Sequence, residues 1–213
     1  PIKTDDERPA ALDRSTQAAT VDVAIATSSV ALDPAARVLA RHITNRSDST
    51  VGFNVSAPIV VQLRLASTLG VEAYEIAGGD SHQGGTSSSR SAAAASATVV
   101  VTGGDVPAVL FGIGAFLRNS SFDSGHFVPG TLRGKGSPAH PGGFRAMYLA
   151  THLGNFYVSA PVSEVREVME DLVLWGTNTV VFAMPFQDFS SFMDDPNLQA
   201  FMDKQAGLYR AAQ

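Results

Sequence analysis

The sequence predicts an α/β fold: a small α+β domain, a sheet with its helices on one face, followed by a parallel βαβ unit. Three observations lead there. Half-buried strand patterns, apolar and polar residues in alternation, recur through the first hundred residues, and two helical stripes are interleaved with them. Residues 179–184 are almost wholly apolar, the pattern of a strand buried on both faces of a parallel sheet. With 45% hydrophobic and only 16% charged residues among 213, the chain has the material for a core.

Residues 1–19 mix charges with Pro, Ser and Thr at no period and read as an amino-terminal arm. In 20–26, Val21, Val23 and Ile25 alternate with Asp22 and Ala24, a strand with one buried face. Asp33 is placed to cap a helix with Pro34 at its first position, and Ala35, Val38, Leu39, His42 and Ile43 fall on one stripe. Two strands follow. Residues 59–65 set Val61, Leu63 and Leu65 against Gln62 and Arg64, and 71–76 turn Tyr74 and Ile76 to one side. The Gly, Ser and Ala of 78–96 offer nothing to bury, which predicts a mobile loop. The β-branched run 98–102 is the next strand. After it, Gly103-Gly104-Asp105 supplies a turn and cap, and 107–118 is a helix packing Leu110, Ile113, Gly114 and Leu117. This closes a first domain over 20–119, and the Pro- and Gly-rich turns of 120–143 read as a linker.

A second unit occupies 144–213. Residues 144–151 read as a buried strand, Pro161 and Ser163 open a helix, and Val165, Val168, Met169, Leu172 and Trp175 recur along it at helical spacing. Gly176 ends that helix before the strand at 179–184, which makes a right-handed βαβ unit. Residues 189–213, with Phe192, Leu198, Phe201, Met202 and Leu208, read as a loop and then a helix.

Composition and motifs exclude several functions. A net charge of -5 gives no basic face for nucleic acid. Cysteine is absent, which removes disulfides, thiolate metal sites and Cys nucleophiles. No apolar run reaches the roughly 18 residues of a membrane span, so no membrane partner is expected. The chain starts at Pro1 without a signal pattern, read as a boundary left by removal of a leader, which favours a periplasmic or secreted location over a cytoplasmic one. Lys135 stands where a phosphate loop over 130–137 would need Gly, and Gly112 and Gly114 lie inside a helix rather than in a dinucleotide-binding turn. The five histidines match no helical metal pair, so neither metal nor cofactor is expected.

The informative segment is 144–157. It places polar and aromatic groups directly after a strand, and in parallel sheets and barrels ligands are met at the carboxyl ends of strands. That makes His152, Asn155 and Tyr157 candidate ligand contacts, with hydrogen bonding to loop backbone as the other reading. Arg145, at the opposite end of the strand, needs either a carboxylate partner or a ligand.

Residues 104–118 resemble the last helix of the small N-terminal domain that precedes the catalytic barrel in β-N-acetylhexosaminidases (glycoside hydrolase family 20) and α-glucuronidases (family 67). Residues 144–149 and 172–178 are similar to the first barrel strand of those enzymes and to the approach to the second. The resemblance spans about residues 20–185 and implies the start of an incomplete (β/α)8 barrel with carbohydrate as its ligand. It places the family's sugar-binding Arg on Arg145, directed into the barrel mouth, where a guanidinium fork grips vicinal hydroxyls. Asp188, just past the second strand, is given a supporting place at the site. Ala146 and Ala150 stand where the family carries Gly and Asp, and no His-x-Gly-Gly-Asp-Glu occurs, so no catalytic residue is assigned. The 70 residues of 144–213 compare with about 250 for a full barrel, which predicts the amino-terminal portion of a larger glycoside hydrolase, inactive alone. The alternative is a noncatalytic module that binds carbohydrate or protein.

Overall fold

A computed structural model of the chain describes residues 20–79, 97–131, 133–152, 154–183 and 196–213. The expected arm (1–19), all but the first two residues of the expected loop, and Asp188 lie outside the described residues. The elements run β1 (Val23–Thr27), α1 (Asp33–Thr44), β2 (Val51–Phe53), β3 (Ile59–Leu65), β4 (Tyr74–Gly79), β5 (Ala97–Gly103) and α2 (Val106–Asn119). They continue with β6 (Gly134–Gly136), β7 (Ala146–Leu149), α3 (Phe156–Ser159), α4 (Val162–Leu174), β8 (Thr179–Phe182) and α5 (Pro196–Ala211).

Six strands form one mixed sheet in the order β2-β1-β3-β5-β4-β6. β1 runs parallel to β2 and β3, β3 is parallel to β5, and β4 is antiparallel to both of its neighbours. The register aligns Ile25 with Val61 and Val99, and Leu63 with Val101 and Ile76. Because side chains alternate along a strand, this register gathers the β-branched residues on one face. Leu39 and Ile43 of α1 and Val109, Ile113 and Phe116 of α2 close over that face, so both helices lie on the same side as expected. The Asp105 carboxylate caps α2 by accepting from the Ala108 N–H at 2.8 Å. Asp33 does not cap α1. A 3-10 turn over Val30–Leu32 precedes the helix, Leu32 takes the cap position, and Asp33 accepts a hydrogen bond from Thr27 instead.

Two strands were not anticipated. β2 and β6 have three residues each, too few for a period to show, and β6 is Gly-Lys-Gly. It lies within the segment read as a linker, which therefore also supplies an edge of the sheet through its pairing with β4.

The second unit pairs β7 with β8 in parallel, Leu149 opposite Phe182, with α3 and α4 between them. Leu149, Val165, Met169 and Leu208 form its core, so α4 and α5 cover one face of the pair. The expectation of a buried strand at 144–151 and of one buried on both faces at 179–184 is corrected here. Met147, Tyr148 and Val181 are exposed, and Phe144 lies before β7 and is 92% exposed. Each strand has one partner among the described residues, and the face away from α4 and α5 is open. Trp175 also departs from the stripe predicted for its helix. Gly176 (φ +97°) and Thr177 donate to the carbonyls of Val173 and Leu172, a Schellman cap that turns the chain before Trp175 can reach the core.

The two units meet along α2 and α4. At Gly114 the carbonyl of Leu174 approaches so closely that a Cβ would collide with it. Gly112 lets the same helix settle on Val101 and Tyr74 of the sheet. Arg118 donates to the Leu174 carbonyl at 2.7 Å, the Leu174 side chain enters the first core, and Arg41 pairs with Glu170 at 2.8 Å.

Candidate functional site

The two ends of β7 hold the polar residues that the sequence singled out, and they differ in kind. At the amino end, Arg145 belongs to a closed network. Its Nε donates to the Gly176 carbonyl at 2.6 Å, and Nη1 donates to the carbonyls of His140 and Gly143, both at 3.1 Å. Nη2 donates to Glu72 Oε1 at 2.7 Å, and the guanidinium stands 5.3 Å from the centre of the Phe111 ring. The Arg145 backbone N–H is bonded to Asn178 Oδ1, and Asn178 Nδ2 donates to Glu72 and to the Gly143 carbonyl.

Glu72 is 5% exposed and receives the Gly142 N–H on its other oxygen at 2.8 Å. The hydrogen bond from Arg145 lowers its pKa from 4.5 to about 2; burial pushes the other way, and the Gly142 N–H and Asn178 assist the lowering. Its backbone sits in the left-handed region, φ +56°, at a cost of about 1–2 kcal/mol for a residue with a Cβ. The Glu72 N–H is held by Asp105, the residue that caps α2. The network thus ties the α2 cap, the turn before β4 and the start of β7 into one assembly. The expectation that Arg145 points into a barrel mouth is corrected by this geometry: four of its five N–H donors go to backbone carbonyls and one carboxylate, at the strand end away from the other candidates.

The carboxyl end is open. The Tyr148 hydroxyl and His152 Nε2 share a hydrogen bond of 2.5 Å, and the two rings lie 6.0 Å apart between centres. Tyr148 is 49% exposed and faces the same side as Val181, away from the helices. Buried Thr151 donates to the Ala183 carbonyl at 2.6 Å and joins the ends of β7 and β8. Asn155 gives both amide hydrogens to the carbonyls of Ala150 and His152, and its oxygen accepts from the N–H groups of Tyr157 and Val158. It therefore caps α3 and shapes the loop that carries His152. Tyr157, on α3, packs against the core of the second unit and against Phe156.

The structure thus gathers Tyr148, His152, Asn155 and Tyr157 at one strand end, and of these Tyr148 and His152 present polar atoms outward. Sequence reasoning passed over Tyr148 because 144–151 was read as a buried strand. Its alternation with Leu149 and Met147 was the available signal.

No protein-family model and no curated protein matches the sequence. Among solved structures, the chain is similar to a GH20 exo-β-N-acetylglucosaminidase from Vibrio harveyi, as an inactive mutant and in complex with N-acetylglucosamine. In both cases the TM-score is 0.51 at 14% identity, covering 76% of this chain and 22% of that one. It is also similar to a GH138 enzyme targeting pectin rhamnogalacturonan II, with a TM-score of 0.50 at 15% identity over 90% of this chain and 23% of that one. The chain spans less than a quarter of the length of these structures. It has the α/β fold found within part of these glycoside hydrolases.

Proposed function

We propose that the chain is the amino-terminal portion of a carbohydrate-active glycoside hydrolase acting on polysaccharide or glycoconjugate. Residues 20–119 form its accessory domain, 120–143 connect, and 144–213 supply the first strand and helix units of a (β/α)8 barrel. The observation that carries this reading is the parallel β7-α4-β8 unit, helix-covered on one face, open on the other, and polar at its carboxyl end. A barrel strand has a neighbour on each side, so the open edges of β7 and β8 are the places where further strands pair. The open face carrying Tyr148 and Val181 then becomes barrel interior, and Tyr148 and His152 stand at the mouth, where barrel enzymes bind substrate.

There the phenol and imidazole each offer a donor or acceptor to sugar hydroxyls, and Asn155 holds their loop. Hydrolysis needs two carboxylates about 5–10 Å apart across the scissile bond. Glu72 and Asp105, the carboxylates of the Arg145 network, are committed to structural partners, so the catalytic pair comes from later strands.

The reading frame downstream of Gln213 tests this. Six further strand-helix repeats with a strand-end carboxylate pair sustain the proposal, and an early stop codon sinks it. The purified 213-residue chain is expected to release no aglycone from aryl glycosides above a blank.

A further inference from the structure

We propose that the cleft between the two units, at the amino end of β7, is an accessory binding site for an acidic sugar, a hexuronate residue. The cleft has a volume of about 300 Å³, and Tyr74, Phe111, Arg118, Ser137, Arg145 and Trp175 are among the residues that line it. Two guanidinium groups face it, each over a ring: Arg118 lies 4.3 Å from the centre of Trp175, and Arg145 lies 5.3 Å from that of Phe111. No carboxylate is among the described residues that line it. Glu72, behind Arg145, neutralises that guanidinium. Arg118 has no such partner among the described residues: it gives one N–H to the Leu174 carbonyl and keeps the rest of its fork for a ligand. A cleft with one uncompensated positive charge, in a chain of net charge -5, selects an anion.

The aromatic wall specifies what carries that anion. Trp175 is 72% exposed because the Schellman cap at Gly176 holds it off the core. An exposed indole on a concave surface is a large apolar plane that water covers at a cost. Arg118 covers part of the indole, and a pyranose ring lays its C–H face on the part of the plane that the guanidinium leaves exposed. A carboxylate at C6 of that ring reaches the neighbouring guanidinium, where the planar fork takes it in bidentate fashion. Ser137, which also lines the cleft, offers a hydroxyl to the sugar oxygens. The site lies at the end of β7 opposite Tyr148 and His152, so its failure would leave the hydrolase reading untouched.

Trp175 is the only tryptophan in the chain, so intrinsic fluorescence reads this cleft directly. D-Galacturonate and D-glucuronate, titrated at constant ionic strength, are expected to change the emission saturably. D-Galactose and the methyl ester of galacturonate, which lack the charge, should bind at least about tenfold more weakly. Arg118→Gln should weaken uronate binding about tenfold, with its thermal unfolding checked in parallel. The wild-type comparison of acid with ester stands whether or not that variant folds. No saturable response, or an equal response to acid and ester, overturns the proposal. So does an equal response to sodium acetate, which would show a site for charge alone.

Discussion

One short strand, β7, begins in a partly buried ion-pair network and ends in a half-exposed pair of side chains. Arg145 and His152 both looked like ligand contacts, yet their surroundings divide them. The Arg145 guanidinium meets three backbone carbonyls and a buried carboxylate, whereas the imidazole of His152 meets one exposed phenol. A charged residue in a strand becomes a binding group only when the fold leaves its donors unspent. At the amino end they are spent on holding two units together.

The largest expected effect tests that contrast directly. Arg145→Ala leaves the Glu72 carboxylate buried without its counter-charge, and breaking such a pair costs about 3–5 kcal/mol. Urea denaturation should show the loss as a lower midpoint. Adding Glu72→Gln to Arg145→Ala should recover part of it, because the orphaned charge is then gone. An Arg145→Ala protein as stable as the wild type would abolish the distinction between the two ends.

Acid should weaken the amino end through Glu72. With the Glu72 pKa depressed from 4.5 to about 2, the stability it contributes is fully present above pH 4.5 and is lost as pH falls from there toward 2. The shift corresponds to about 3 kcal/mol at most. Glu72→Gln should flatten the pH dependence of stability in that window relative to wild type. Equal slopes for the two proteins would mean that other carboxylates govern acid unfolding.

The seam beside this network offers a smaller effect. Gly114→Ala drives a Cβ into the Leu174 carbonyl, and overpacking of this kind costs about 1–3 kcal/mol. A thermal midpoint unchanged by Gly114→Ala would show that α2 and α4 can slide apart freely. At the other end, Asn155→Ala removes the cap of α3 and the tie to Ala150 and His152, for about 0.5–2 kcal/mol. Chemical denaturation of that variant measures how much order the carboxyl-end loop itself contributes.

What the sequence could and could not say follows from the range of the forces involved. The bounds of β3 were readable to the residue, and its alternation buries Val61 and Leu63 as read, although Leu65 at its end is exposed. α2 was readable because its cap is local, Asp105 to Ala108. β2 and β6 are shorter than two periods and left no pattern. Arg145 could not be placed, because its partner Glu72 is 73 residues away and no local rule joins them. Trp175 kept the helical spacing of a core residue but fell beyond the last turn, where the cap geometry overrides periodicity. The place of His152 at a strand's carboxyl end was legible from the order of strand and loop. Its pairing with Tyr148 required knowing that one face of β7 stays open.

The smallest effect on stability belongs to that open pair, and it carries the functional half of the contrast. His152→Ala removes one exposed hydrogen bond and no buried charge, so the unfolding free energy should change by no more than about 0.5 kcal/mol. Tyr148→Phe should behave the same way, since its ring can stay in place without the hydroxyl. In the complete hydrolase that this reading implies, each variant forfeits a hydrogen bond to the sugar worth about 0.5–1.5 kcal/mol, roughly two- to tenfold in Kd by calorimetry. The two losses should fall short of additive, because the phenol and imidazole orient each other. Stability nearly untouched with affinity reduced is the opposite of what Arg145→Ala should give. A His152→Ala protein destabilised as severely as Arg145→Ala, with sugar affinity intact, would make the carboxyl end of β7 a second structural joint rather than a place where sugar binds.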